Sequence, residues 1–266
     1  MFQKNTGRSV KLLFVFAILF SQISCLYNHD ITNNQLNTPP FSTLSIDFSN
    51  FNYDSTSLNL NNLPNWQNAV LSVNDWKLFI NQTITIPSEV YAEAENQIPC
   101  FEAGSWLWSY NTVVDQINYS VNLYGTVENL NITWDLYISK EGYYSDFLWL
   151  TGYQSIDGTA GQWILNKSYE ENYNFLKIDW TFENNDSSKT VKYTNIISDN
   201  ENFGSTIFFD SETGLEMDNY LEIFEASTQD ITKIYWNKTY KSGKILIPHN
   251  NIWFCWDENY EDYVCL

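Results

Sequence analysis

From Gly104 onward the chain alternates apolar and polar residues with a period of two. Ile117, Tyr119, Val121 and Leu123 fall on one parity, and Asn118, Ser120, Asn122 and Tyr124 on the other. After Glu128-Asn129 the pattern resumes with Ile132, Trp134, Leu136 and Ile138 against Thr133, Asp135, Tyr137 and Ser139. Two such runs around a short polar turn predict a hairpin. Trp106, Trp108 and Tyr110 predict a strand before it. Further strands are predicted at 146–154, 161–166, 174–182, 190–198, 204–210, 218–226, 231–237 and 244–247. Turn clusters such as Lys140-Glu141-Gly142, Asp157-Gly158 and Ser242-Gly243 separate them.

No gap between these strands holds a crossover helix, so neighbours are expected to be antiparallel. Some ten or eleven strands are too many for one flat sheet. Because every link is short, an antiparallel meander curled into a barrel or half-barrel is expected rather than a Greek-key sandwich. Around Trp149 both parities are apolar (Phe147 and Trp149, Leu148 and Leu150). Such a strand is covered on both sides, by a helix or by a ligand.

A different rhythm precedes the sheet. Trp66, Ala69, Val70, Val73, Trp76, Lys77 and Ile80 follow three-four spacing and predict a helix over 64–82, with Pro64 at its start. Pro87 is expected to stop any continuation, and Ser88 to cap a second short helix reaching Glu95. The expected organisation is a signal peptide at 1–24, a disordered Asn/Ser/Thr-rich tether at 25–62, and a helix plus antiparallel β-domain at 63–266.

The leader rests on Lys4, Arg8 and Lys11, the apolar run Leu12 to Phe20, and the small or polar Ser21 to Ser24. The run is too short for a membrane-spanning helix, which needs about 20 residues. Residues 26–62 contain Pro39-Pro40, many Asn, and no Lys or Arg. That composition buries little apolar surface against its ordering entropy.

Cys25 directly after Ser24, with Gln22 three positions before it, resembles the lipobox of bacterial lipoproteins. The resemblance implies acylation at Cys25 and a membrane-anchored N-terminus. Leu26 stands where an aspartate would signal inner-membrane retention, so it implies an outer-membrane, cell-envelope location. The runs Gly161 to Lys167 and Trp253 to Asn259 resemble uncharacterised Bacteroidota-type lipoproteins, a family without an assigned activity.

Charge narrows the partners. The formal net charge is −19, and the leader contributes only positive residues, so the exported chain is more acidic still. It is repelled by polyanions, which excludes nucleic acid as a partner. An exported compartment permits disulfides. Cys255 and Cys265 are expected to pair, leaving Cys100 over, although Cys100–Cys255 and Cys100–Cys265 compete. No metal site is expected, because the cysteines lack tight spacing and the only histidines are His29 and His249. Six Asn-x-Ser/Thr sequons match what so Asn-rich a composition produces by chance.

No nucleophile motif, P-loop or EF-hand loop occurs, and no cofactor is expected. A glycoside hydrolase would need carboxylates about 5–9.5 Å apart, and no strand or loop singles out such a pair. Asp257, Glu258, Glu261 and Asp262 read as a solvated acidic turn. Asp135 and Asp179 face solvent if Trp134 and Trp180 point inward. The reading is a non-enzymatic, lipid-anchored protein that binds a hydrophobic small ligand, lined by Trp134, Trp149, Trp163, Trp180 and Trp236. In layout it resembles barrel-type lipoproteins and lipocalins. The alternatives are a carbohydrate-binding β-domain, marked by exposed aromatics, or a structural envelope lipoprotein.

Overall fold

The computed structural model describes residues 36–52, 64–183, 188–212 and 216–265. The leader, Cys25, His29 and the first part of the expected tether lie outside the described residues.

Among the described residues two α-helices precede the sheet, α1 (Asn65–Thr83) and α2 (Thr85–Ala92). Helix α1 buries Ala69, Val70, Val73 and Trp76, the face that three-four spacing predicts. Its Asn65 backbone N–H donates to Asp262 Oδ1 at 2.7 Å, so a carboxylate from the far end of the chain caps the helix. Helix α2 begins earlier than expected. Pro87 lies inside its first turn, where a missing N–H breaks no helical hydrogen bond. Ser88 is not its cap: the hydroxyl donates back to Thr85 O at 3.0 Å.

Fourteen strands follow among the described residues: β1 (Cys100–Glu102), β2 (Ser105–Val114), β3 (Ile117–Glu128), β4 (Asn131–Lys140), β5 (Tyr144–Ser155), β6 (Ala160–Asn166), β7 (Asn174–Phe182), β8 (Ser188–Asn195), β9 (Thr206–Glu212), β10 (Asn219–Glu225), β11 (Asp230–Trp236), β12 (Gly243–Leu246), β13 (Phe254–Trp256) and β14 (Asp262–Tyr263). Each pairs with the next in strict sequence order, and every pairing is antiparallel, as in β2–β3 and β7–β8. The fold is the expected curled meander. Strands β1, β13 and β14 hold only two or three residues, too few for alternation to reveal them. The sheet does not close into a barrel, because β1 and β14 remain its edges.

Tryptophan and glycine alternate across the sheet. Trp134 stands opposite Gly125 on one side and Gly152 on the other. Gly152 is opposite Trp163, and Gly161 opposite Trp180. Gly243 lies between Trp236 and Trp256. A Cβ on Gly152 would sit 2.4 Å from Cε3 of Trp163, and one on Gly243 2.2 Å from Cζ2 of Trp256. Each indole therefore lies flat over a strand that offers it no side chain, which makes a smooth aromatic floor.

The chain's own N-terminal segment lies on that floor. Leu44, Ile46, Phe48 and Phe51 are buried in the core, so residues 36–52 are packed and do not form part of a disordered tether. The segment crosses the sheet. Thr43 Oγ1 accepts from Trp163 Nε1 on β6 at 3.0 Å. Leu44 O accepts from Tyr193 on β8 at 2.9 Å. Phe51 meets Trp236 on β11 edge-on at 4.8 Å between centroids. Strands as far apart as β6 and β11 share one short stretch of chain, which is how the curl encloses an interior. Hydrophobic burial and these hydrogen bonds outweigh the polarity of the intervening residues.

Cys255 and Cys265 are joined, with Cα atoms 5.5 Å apart, which ties β13 to the tail. Cys100 is not left over: it too is disulfide-bonded.

Candidate functional site

The five expected lining tryptophans separate into two groups. Trp134, Trp163, Trp180 and Trp236 point inward and are buried in the shared core, covered by chain rather than by open space. Trp134 and Trp180 leave their indole N–H groups without a partner among the described residues, a cost of about 1–3 kcal/mol each that the buried aromatic area offsets. Trp149 lines a cavity of about 630 Å³.

That cavity lies at one end of the half-barrel, where the β2–β3, β4–β5 and β6–β7 connections meet the α1–α2 junction. Irregularities in the sheet build it. Leu136 pairs with Leu150 and Tyr137 with Leu148, so Trp149 is an extra, unpaired residue in β5. A second shift, between Ile138–Phe147 and Lys140–Tyr144, brings Tyr144 and Phe147 onto one side. Asp146 within it takes a left-handed φ of 49° and donates its N–H to Ser139 Oγ at 2.9 Å. Bulges of this kind re-aim side chains and cluster next to functional sites. They also explain why the sequence around Trp149 reads as apolar on both faces.

The re-aimed rings form a continuous aromatic chain. Trp149 lies 5.7 Å from Phe147, and Phe147 5.9 Å from Tyr144. Tyr144 stacks on Tyr169 at 5.1 Å with 18° between planes. Tyr143 completes the set at 5.7 Å from Tyr144. Burial falls along this chain: Trp149 is 8% exposed, Tyr169 50% and Tyr143 59%. Large aromatics kept half in water mark recognition surfaces.

Polar groups surround the rings. Lys140 Nζ sits 5.2 Å from the centre of the Tyr143 ring. Lys167 pairs with Glu171 at 2.8 Å, and that hydrogen bond holds its ammonium above the usual range. The Tyr143 hydroxyl donates to Glu170, which raises the phenol and holds the carboxyl below its ordinary value. Burial, with the charges of Tyr119 and Glu170, pushes Tyr144 up to about 12. Both phenols are therefore neutral donors near neutral pH.

A second hollow, of about 910 Å³, adjoins the first and shares Lys140, Tyr143, Tyr144 and Tyr169 with it. Its other walls carry amides and hydroxyls, among them Asn111, Asn118, Ser120 and Ser139. Ser120 donates to Asn111 Oδ1 at 2.7 Å, so these groups are pre-ordered while keeping spare donors and acceptors.

The remaining candidates have structural roles. Asp135 accepts from Thr151 at 2.6 Å, and Asp179 pairs with Lys177 at 2.8 Å. Both are solvent-side neighbours of inward tryptophans, as alternation requires. Asp257 accepts from the backbone of Asn259 and Glu261 at 2.8 and 2.9 Å, so it shapes the acidic turn. His249 lies on the surface beside Asp230 at 3.0 Å. Asp75 and Glu225 share a smaller cleft of about 360 Å³, in which burial raises Glu225. No cluster able to hold a metal ion occurs among the described residues.

Sequence reasoning passed over Tyr143, Tyr144 and Tyr169. The available signal was a pair of aromatics directly behind the turn cluster Lys140-Glu141-Gly142, a position where a core residue is not expected. Compared with known proteins, the chain matches no family model, no curated protein and no solved structure.

Proposed function

We propose that this is an exported binding protein whose aromatic groove takes a carbohydrate. The observation that carries the reading is the half-exposed pair Tyr143 and Tyr169, joined through the partly buried Tyr144, beside pre-ordered amides and hydroxyls. Sugars present apolar C–H faces and a rim of hydroxyls, and this pairing of ring faces with amide and carboxylate groups matches both. A hydrophobic small ligand is the second reading, favoured by the apolar floor that Phe147 and Trp149 supply. The four fully covered tryptophans argue against the interior as its place.

Export rests on the leader at residues 1–24. An acyl anchor at Cys25 and an outer-membrane address remain part of the proposal through the lipobox resemblance. An acylated Cys25 would carry its lipid as a thioether, and one sulfur cannot carry both a thioether and a disulfide.

The test is a glycan array probed with the full exported chain, followed by calorimetric titration of the hits. Saturable binding that Tyr169→Ala weakens supports the reading. No binding, or binding indifferent to Tyr169, contradicts it.

A further inference from the structure

The two hollows differ in chemistry although they meet across the same turn. The outer one, about 910 Å³, is edged by Asn111, Asn118, Ser120, Ser139 and Glu141. Asn118 Nδ2 reaches Glu141 Oε2 at 3.5 Å, and these exposed groups have no apolar neighbour in the hollow except the shared tyrosines. The inner one, about 630 Å³, is lined by Ile86, Tyr119, Phe147 and Trp149 together with polar groups from the α1–α2 junction and the β6–β7 connection. Tyr143 and Tyr144 form the saddle between them. Each hollow is of small-ligand size, and together they exceed what one sugar ring fills. A ligand spanning both must be polar at one end and apolar at the other, because an unpaired hydroxyl on the Phe147–Trp149 floor would be desolvated without compensation.

We infer that the groove takes a glycoside with an apolar aglycone. The sugar sits over Tyr143 among the amides and hydroxyls of the outer hollow, and the aglycone passes the Tyr144–Tyr169 stack onto Phe147 and Trp149. This deepens the carbohydrate reading and rests on it. Binding is non-covalent, and the acidic surface is no obstacle because such a ligand is neutral.

The experiment titrates the full exported chain with matched methyl and octyl glycosides of glucose, galactose and N-acetylglucosamine, below micelle-forming concentrations, with octanol as competitor. The octyl form of at least one sugar is expected to bind roughly tenfold or more tightly than its methyl form, since several methylenes leave water. Trp149→Ala and, on the separate helical wall, Ile86→Ala should bring that ratio toward one. Asn118→Ala should weaken both forms alike. Two independent wall variants keep the test informative if Trp149→Ala fails to fold. Equal affinity of methyl and octyl forms overturns this inference and leaves the carbohydrate reading standing. Displacement by octanol as effective as by the octyl glycoside overturns it too, in favour of a purely apolar ligand. Failure of every glycoside, together with an empty glycan array, overturns both readings.

Discussion

Gly161 stands directly opposite Trp180 in the sheet, and a Cβ on Gly161 would lie 2.3 Å from Cζ2 of that indole. The same added carbon would lie 2.5 Å from the Tyr153 backbone oxygen. Neither neighbour can yield cheaply, so Gly161→Ala is expected to destabilise the fold by about 1–3 kcal/mol. Among the described residues Trp180 has no hydrogen bond to lose through its indole N–H, which makes Trp180→Phe the matching partner. Denaturant unfolding of both single variants and the double variant should show the double less destabilised than the sum. Additive costs would mean that the glycine is not there to admit the indole.

Residues 36–52 should behave as core. Phe51 is 2% exposed against Trp236, and Leu44 equally buried. Leu44→Ala is expected to cost about 2–5 kcal/mol in thermal or denaturant unfolding. A change below about 0.5 kcal/mol, the size typical of surface sites, would mean that the segment is not seated on the tryptophan floor in solution.

Lys189 gives a pH signature. Its ammonium donates to Ser45 O at 2.9 Å, yet burial lowers its pKa to about 8. Between that value and the ordinary 10.5, the unfolded chain holds a proton that the native chain has shed. Stability from this group therefore rises with pH across that window. The rise is opposed near its upper end, where burial raises Tyr193 above its ordinary 10.0 and unfolded tyrosines begin to ionise first. Melting temperatures from pH 7.5 to 9.5 should climb more steeply in the wild type than in Lys189→Met. Parallel curves would contradict the burial of the ammonium.

Peptide mapping without reduction should join Cys255 to Cys265, and Cys265→Ser should cost about 2–3 kcal/mol on the chain-entropy estimate for so short a loop. The same map tests the anchor. A thioether-linked acyl group on Cys25, lost with membrane association in Cys25→Ser, is the expected result. A Cys25–Cys100 peptide would contradict it.

The β-meander was legible because its inward residues keep strict parity, as in Ile132, Trp134, Leu136 and Ile138, all at most 1% exposed. The packing of residues 36–52 was not, since Asn, Ser, Thr and Asp make up nine of its seventeen residues. Its alternation of Leu44, Ile46 and Phe48 with Ser45 and Asp47 was the signal that composition masked. The site was hidden for a related reason. Trp149 is aimed by a bulge that breaks parity, and Tyr143 and Tyr169 sit in connections, where periodicity carries no information. Their meeting depends on three connections converging, a property of the curl rather than of any one segment.

Whether a carbohydrate occupies the tyrosine groove is read by hydrogen–deuterium exchange with and without a saturating array-selected oligosaccharide. Protection is expected to concentrate in residues 139–145 and around Asn111, Asn118, Ser120 and Tyr169, which line the outer hollow. Protection around Asp75 and Glu225 instead, with these segments unchanged, would place binding in the smaller cleft and rule out the tyrosine groove.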